Sequence, residues 1–118
     1  MRAKGEVFVA ALENLPPGER RIIRADDKSI GVFNTGSRIV AVLNICPHAL
    51  APVCLGKLGG TTLPSQPGEF NWGRQNEILR CPWHGWEFDL HSGQCLTDRR
   101  RLKRFPVVIR DDRIYVEV

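Results

Sequence analysis

The chain has 118 residues, of which 42% are hydrophobic and 25% are charged, and its formal net charge is +4 at pH 7. This length favours one domain with a modest hydrophobic core. The apolar runs, such as Val7–Leu12, are far shorter than the roughly 20 residues of a membrane span, so we expect no membrane association. The first residues are charged and no long apolar stretch follows them. This argues against a secretory signal and predicts a cytoplasmic protein.

In the first half of the chain, short segments rich in β-branched and aromatic residues alternate with turn signals. Glu6–Ala11 is a predicted strand, and the Pro-Pro-Gly sequence within Leu15–Gly18 predicts a turn. Arg20–Arg24 is the next predicted strand. Ser29–Asn34 and Arg38–Asn44 then flank a short loop containing glycine, which predicts a β-hairpin.

The second half ends in another predicted hairpin, in which Phe105–Arg110 and Arg113–Val118 flank two aspartates. Pro, Gly and β-branched residues interrupt every window of helical length, so the sequence predicts an antiparallel all-β fold. Leu58–Asn76 is rich in Gly, Pro, Ser and Thr and predicts a long loop. Such a loop is uncommon inside a compact domain and is often functional.

The middle of the chain holds all four cysteines and all three histidines, most of them in two short boxes. The first box is Cys46-Pro47-His48 and the second is Cys81-Pro82-Trp83-His84, and each follows a predicted strand. Two such loops side by side supply two sulfur and two nitrogen ligands. This set suits a tetrahedral zinc, or a [2Fe–2S] cluster with both thiolates on one iron and both imidazoles on the other. Zinc sites usually pair like ligands on one loop, so the mixed pairs favour the cluster.

The two boxes resemble those of the Rieske iron–sulfur proteins, whose mark is Cys-x-His, a gap, and then Cys-x-x-His-Gly. The segment Cys81–Leu90, followed by Ser92-Gly93, is similar to the family's second box and the hairpin after it. The resemblance implies a Rieske fold, with an antiparallel β-sandwich base (1–44 and 96–118) and a small cluster-binding subdomain of two loops (45–95). It also implies one [2Fe–2S] cluster, whose ligands are two cysteines on one iron and two histidines on the other: Cys46, Cys81, His48 and His84.

One departure from the family pattern is the spacing, because 32 residues separate His48 from Cys81 and the family's gap is about half as long. The excess falls in the predicted loop 58–76. It is either a tolerated surface insertion, since added loop length costs little entropy, or a flap beside the cluster anchored by Phe70 and Trp72. We favour the insertion.

The histidine count constrains the function. Catalytic subunits of Rieske oxygenases also need a mononuclear iron held by two histidines and a carboxylate, and here only His91 is left after the cluster. We therefore expect an electron carrier rather than an enzyme, similar to a ferredoxin that passes electrons from a flavin-dependent reductase to a terminal oxygenase. In the family the two histidines face the partner, and Leu50, Pro52 and Trp83 would form a dry rim around them.

Two other functions fit the same boxes. One is the small subunit of an assimilatory nitrite reductase, and the other is a non-redox structural or regulatory module braced by the cluster. The remaining cysteines, Cys54 and Cys95, are expected to be reduced, buried thiols. The basic run Asp98–Arg104 is expected to be a solvated loop, with a docking patch for an acidic partner as the alternative. It lacks interleaved aromatic residues, so nucleic acid is not an expected partner.

The second box also predicts the reduction potential of the cluster. Rieske proteins of respiratory complexes carry a disulfide-forming cysteine where Trp83 stands, and a serine that donates to the cluster where Gly85 and Trp86 stand. Fewer donors to the sulfurs stabilise the added electron less, so we expect a potential near the low end of the Rieske range, about −150 mV. A redox titration of the purified protein measures it, and a clearly positive value would contradict this expectation.

Overall fold

The computed structural model describes residues 5–47, 50–63, 71–83 and 85–118, with the backbone alone for residues 61–63 and 71–75. These ranges contain two short 3-10 turns, Leu12–Asn14 and Val53–Leu55, and no α-helix, and none of their helical segments could cross a membrane. The predicted all-β class is confirmed. The described residues form ten strands: β1 Glu6–Ala11, β2 Arg20–Ala25, β3 Lys28–Asn34, β4 Ile39–Leu43, β5 Lys57–Leu63, β6 Asn71–Arg80, β7 Glu87–Asp89, β8 Arg104–Phe105, β9 Val107–Arg110 and β10 Arg113–Glu117.

The strands form three antiparallel sheets, with the orders β1-β10-β9, β2-β3-β4-β8 and β5-β6-β7. Both predicted hairpins are confirmed. The β3–β4 hairpin pairs Ile30 with Leu43, and the β9–β10 hairpin turns at Asp111 and Asp112, whose φ angles are 52° and 59°. Two successive residues with positive φ suit the right-handed twist of the strands that they join.

Two buried clusters lie on opposite faces of the middle sheet. The base cluster lies between the first and second sheets, and the site cluster includes residues from β3, β4, the third sheet and both boxes. Ile30 and Val32 of β3 belong to the base cluster, whereas Phe33 belongs to the site cluster. Because successive side chains of a strand point to opposite faces, β3 contributes to both cores at once.

The predicted loop over Leu58–Asn76 is wrong, because most of it is strand. β5 pairs with β6 through Leu58 opposite Leu79 and, further out, through the backbones of residues 62 and 72. The register shifts between Gly59 and Thr61, and Asn76 has a φ of 68°. Gly and Pro are depleted in strands, so composition favours a loop here, yet β5 pairs with β6, which lies between β5 and β7.

The extra residues between the two boxes are either a surface insertion or a flap anchored by Phe70 and Trp72, and the positions of these two residues do not decide between them. Phe70 lies outside the described residues, as do all of residues 64–70, and Trp72 is described by its backbone alone. The insertion and the flap therefore both stay predictions.

Arg20 connects the middle sheet to the chain that follows the first box. Its Nη1 donates to the carbonyl oxygens of Cys54 (2.7 Å) and Gly56 (2.5 Å), and its guanidinium lies 5.4 Å from the centre of the Phe33 ring. Hydrogen bonds from a charged donor are stronger than those between neutral groups. One side chain of β2 thus holds the 3-10 turn Val53–Leu55 against the sheet.

Gly31 occupies a position in β3 where a larger residue is excluded. A Cβ atom added there would lie 2.3 Å from Cys54 Sγ and 2.8 Å from Cys54 Cβ. We predict that Gly31→Ala lowers the free energy of unfolding by about 1–3 kcal/mol, the usual cost of overpacking a core. Urea unfolding followed by circular dichroism measures it.

The matched test is a double-mutant cycle with Cys54→Ala, which removes the nearest atom but leaves its Cβ. We expect the double variant to be more stable than the sum of the two single losses predicts, since part of the clash is relieved. Additive losses would show that the contact between Gly31 and Cys54 is not the cause.

Candidate metal centre

The first box follows β4 and closes a tight loop around Cys46. The N–H of Cys46 donates to the carbonyl of Ala51 (2.8 Å), and the N–H of Leu50 donates to the carbonyl of Cys46 (2.8 Å). Leu50 has a φ of 59°, in the left-handed region that L-residues rarely adopt. These bonds turn the chain back on itself and leave the Cys46 side chain fully buried.

The second box follows β6 and repeats the same backbone pattern. The N–H of Cys81 donates to the carbonyl of Trp86 (2.8 Å), and the N–H of Gly85 donates to the carbonyl of Cys81 (3.0 Å). Gly85 has a φ of 70°. In both loops the cysteine bonds to the same relative positions, and the residue four places after it is left-handed. Two strands of different sheets are therefore followed by cysteines with matching backbone hydrogen bonds.

Both box cysteines lie in the site cluster. A pair of buried sulfur donors on two matching loops fits one half of a [2Fe–2S] cluster, the half that takes two thiolates. The other two predicted ligands, His48 and His84, lie outside the described residues. The part of the chain that the structure describes accordingly contains no group of three or more His, Cys, Asp or Glu that could hold a metal, and the four-ligand set stays a prediction.

Asn44 braces the first box and was not singled out by the sequence. Its backbone N–H donates to the Ser29 carbonyl (2.8 Å), its Nδ2 donates to Ser29 Oγ (3.2 Å), and its Oδ1 accepts from the N–H of Cys54 (2.8 Å). One side chain thus joins the end of β4 to the start of β3 and to the 3-10 turn after the box. The sequence signal was a polar amide at the end of an apolar strand.

The two other cysteines are buried, and no disulfide joins any of the four cysteines, all of which the structure describes. Burial raises the pKa of Cys54 to about 12, so its thiol stays protonated at neutral pH and is a poor metal ligand. Its Sγ lies 3.8 Å from the carbonyl oxygen of Val42. Cys95 Sγ lies 3.8 Å from Thr97 Oγ1. Both side chains contribute to packing in the site cluster.

The third histidine, His91, joins the β3–β4 hairpin to the third sheet. Its Nε2 lies 2.8 Å from Thr35 Oγ1 and its Nδ1 lies 3.8 Å from Glu77 Oε1. The Thr35 hydroxyl also donates to the Arg38 carbonyl (3.1 Å), so the Nε2 position is left to donate to the hydroxyl oxygen. The buried Thr35 was not identified from the sequence, because its partner is 56 residues away.

Both box loops carry exposed apolar side chains. Leu50 is 75% exposed and Trp83 is 60% exposed, and Pro52 is partly buried. Large exposed apolar groups on adjoining loops are typical of contact surfaces. The dry rim around the histidines stays a prediction, because His48 and His84 lie outside the described residues.

Comparison with known proteins points to one family. The family model described as Rieske [2Fe-2S] domain matches residues 5–106. The chain is also 30% identical, over 96% of its length and 94% of the relative, to the 3-phenylpropionate/cinnamic acid dioxygenase ferredoxin subunit of Photorhabdus laumondii.

Solved structures share the fold over nearly the whole chain. The ferredoxin of carbazole 1,9a-dioxygenase from Nocardioides aromaticivorans superposes with a TM-score of 0.75 at 24% identity, covering 97% of this chain and 98% of that one. A putative NADH-dependent nitrite reductase small subunit from Mycobacterium tuberculosis superposes with a TM-score of 0.71 at 22% identity, covering 96% and 94%.

The left-handed residues of the two loops give a test of their matching shape. We predict that Leu50→Gly raises the free energy of unfolding by up to about 1 kcal/mol, because glycine adopts a positive φ without strain and the exposed leucine loses little burial. Gly85→Ala should lower it by about 1–2 kcal/mol. Urea unfolding measures both changes.

Leu55 is the matched control, because it is also exposed (63%) and lies in the 3-10 turn without a positive φ. Leu55→Gly should be destabilising, since glycine adds backbone entropy to the unfolded chain. Equal losses for Leu50→Gly and Leu55→Gly would contradict the left-handed assignment of the first loop.

Proposed function

Because this chain belongs to the Rieske [2Fe-2S] family, we propose that it is a ferredoxin that carries one electron at a time from a flavin-dependent reductase to a terminal oxygenase. The predicted [2Fe–2S] cofactor and the Rieske resemblance are confirmed. The observation that carries the proposal is the full-length similarity to a ferredoxin subunit of a dioxygenase. When bound, the cluster takes up and gives back one electron.

We propose that the cluster is held in the subdomain 45–95 by Cys46 and Cys81 on one iron and by His48 and His84 on the other. The two buried cysteines and the matching hydrogen bonds of their loops support this assignment. The base, residues 1–44 and 96–118, would fix the positions of the two box loops relative to each other. The apolar site cluster would limit the access of water to the thiolates.

The chain's own residues support a carrier rather than an enzyme. Outside the proposed ligands the sequence has one histidine, His91, and its ring lies against Thr35 and Glu77. It therefore does not supply the two-histidine, one-carboxylate site of an oxygenase catalytic subunit. Exposed Leu50 and Trp83 would contact the partner protein. We place this protein in the cytoplasm, and fractionation of the native cells tests that localisation.

The second candidate function is a small subunit of a nitrite reductase, which the shared fold with the Mycobacterium tuberculosis protein favours. Stable copurification with a sirohaem protein would support it over the ferredoxin. A non-redox module braced by the cluster is the third candidate. Such a module would keep its iron and sulfide yet fail to be reoxidised by an oxygenase after reduction by a reductase.

The cluster and its ligands are tested on the purified protein. We expect two irons and two sulfides per chain, and an electron paramagnetic resonance signal that appears after reduction with dithionite and disappears after one equivalent of oxidant. His48→Ala, His84→Ala, Cys46→Ala and Cys81→Ala should each lose the cluster, because each removes one of its four ligands.

The chain offers matched controls of the same residue types. Cys54→Ala, Cys95→Ala and His91→Ala should keep the iron, the sulfide and the signal, although each removes a buried or partly buried side chain. A colourless protein with one zinc per chain would overturn the cluster assignment, and iron retention after His48→Ala or His84→Ala would overturn the ligand set.

A further inference from the structure

The basic run Asp98–Arg104 uses most of its arginines for contacts within the molecule. The guanidinium of Arg100 lies 5.5 Å from the Trp86 ring centre. Arg101 Nη2 donates to Gln94 Oε1 (2.9 Å), and Arg104 Nη1 donates to the His91 carbonyl (2.6 Å). These arginines attach the run to residues on both sides of β7, Trp86 before it and His91 and Gln94 after it, which is a structural role.

Lys103 of the same run also contacts an aromatic ring, because its Nζ lies 5.5 Å from the centre of the Phe105 ring. Lys103 in addition lines a groove. The groove has a volume of about 390 Å³, and cationic side chains from three separate elements line it: Arg24 of β2, Lys28 of β3 and Lys103. Leu43 and Ile45 form its apolar part. We call this feature the basic groove.

The basic groove adjoins the first box. Ile45, which is 41% exposed, lies in it and directly precedes Cys46 in the chain. The surrounding backbone is held together, because the Leu43 N–H donates to the Lys103 carbonyl (2.8 Å) and the Asn44 N–H donates to the Ser29 carbonyl (2.8 Å). An occupant of the groove would therefore sit at a fixed place beside the proposed electron-transfer centre.

The charge of the basic groove is positive. Asp27 is the one acidic residue that lines it among the described residues. The Asp27 carboxylate is 93% exposed and lies 4.0 Å from Lys28 Nζ, and such exposed pairs contribute little energy. Asp26 lines the neighbouring depression instead, with Arg24 and Lys28. Cationic clefts with low-dielectric walls concentrate the field and attract anions.

We propose that the basic groove docks a carboxylate-rich segment of the redox partner protein, an inference that rests on the electron-carrier function proposed above. Cationic side chains around an exposed apolar floor match an acidic protein segment with apolar side chains between its carboxylates. The docked segment would place the partner beside the first box, and its attraction would raise the association rate at low salt.

The first test uses a fluorescent hexaglutamate peptide as the probe and the holo protein as its receptor. We expect binding by fluorescence anisotropy at 20 mM NaCl and a loss of affinity at 200 mM, because salt screens surface charges. Lys28→Glu and Lys103→Glu should each weaken binding about tenfold. A hexaglutamine peptide should not bind.

Arg113→Glu is the matched control, with the same change in net charge. Arg113 is exposed at the start of β10, whereas the other end of that strand leads to Val118, which lines the depression beside Arg24 and Lys28. The control should leave peptide affinity within about twofold of the parent. Equal losses in the Arg113→Glu and Lys103→Glu variants would show an effect of net charge alone and would overturn the groove proposal.

The second test separates this proposal from the electron-carrier function. The protein is reduced with dithionite and then reoxidised either by ferricyanide, an anion, or by hexaammineruthenium(III), a cation, each accepting one electron. We expect Lys28→Glu and Lys103→Glu to slow the ferricyanide reaction about three- to tenfold and not to slow the ruthenium reaction, with no change in Arg113→Glu.

Each outcome of the second test has a distinct meaning. Failure of both oxidants with every variant would overturn the electron-carrier function. Reoxidation at equal rates in all variants would leave the carrier function supported and overturn the groove. A ferricyanide effect without hexaglutamate binding would make the groove a site for small anions and would overturn the docking of a protein segment.

Discussion

The structure depends on the close packing of the β3–β4 hairpin. The side chain of Cys54, for example, packs directly against the backbone of Gly31 in β3. The β3–β4 hairpin is buried on both faces, with the base cluster on one side and the site cluster on the other. Interiors pack as densely as molecular crystals, so a shift of this hairpin would disturb both cores. The box loops are thereby held by the same strands that hold the base together.

The two box loops extend from this packed support, and their cysteines make matching backbone hydrogen bonds. They leave strands of different sheets, β4 and β6, yet each cysteine makes the same two backbone hydrogen bonds. Further hydrogen bonds support the first loop: Asn44 bonds to Ser29 and to Cys54, and Arg20 holds the turn that follows the loop.

The basic residues of the run 98–104 have two different roles. Arginines of the run 98–104 contact residues on both sides of β7, namely Trp86, His91 and Gln94. Lys103 lies over the Phe105 ring and also lines the basic groove with Arg24 and Lys28. The sequence of the whole run predicts a solvated loop, with a docking patch for an acidic partner as the alternative. In the structure the run is a braced segment, and the proposed docking role falls to Lys103 together with two residues from other strands.

The sequence by itself determined the features that depend on local patterns. Strand-forming residues between turn signals located β1 to β4 and the β9–β10 hairpin, and the spacing within the boxes identified the family. Only the tertiary structure decided that Lys57–Leu63 and Asn71–Arg80 pair as strands, that Thr35 faces His91, and that Lys28 and Lys103 share a groove. The physical reason is that propensity and turn chemistry act between neighbours in the chain, whereas these contacts join residues that become neighbours only when the sheets pack together.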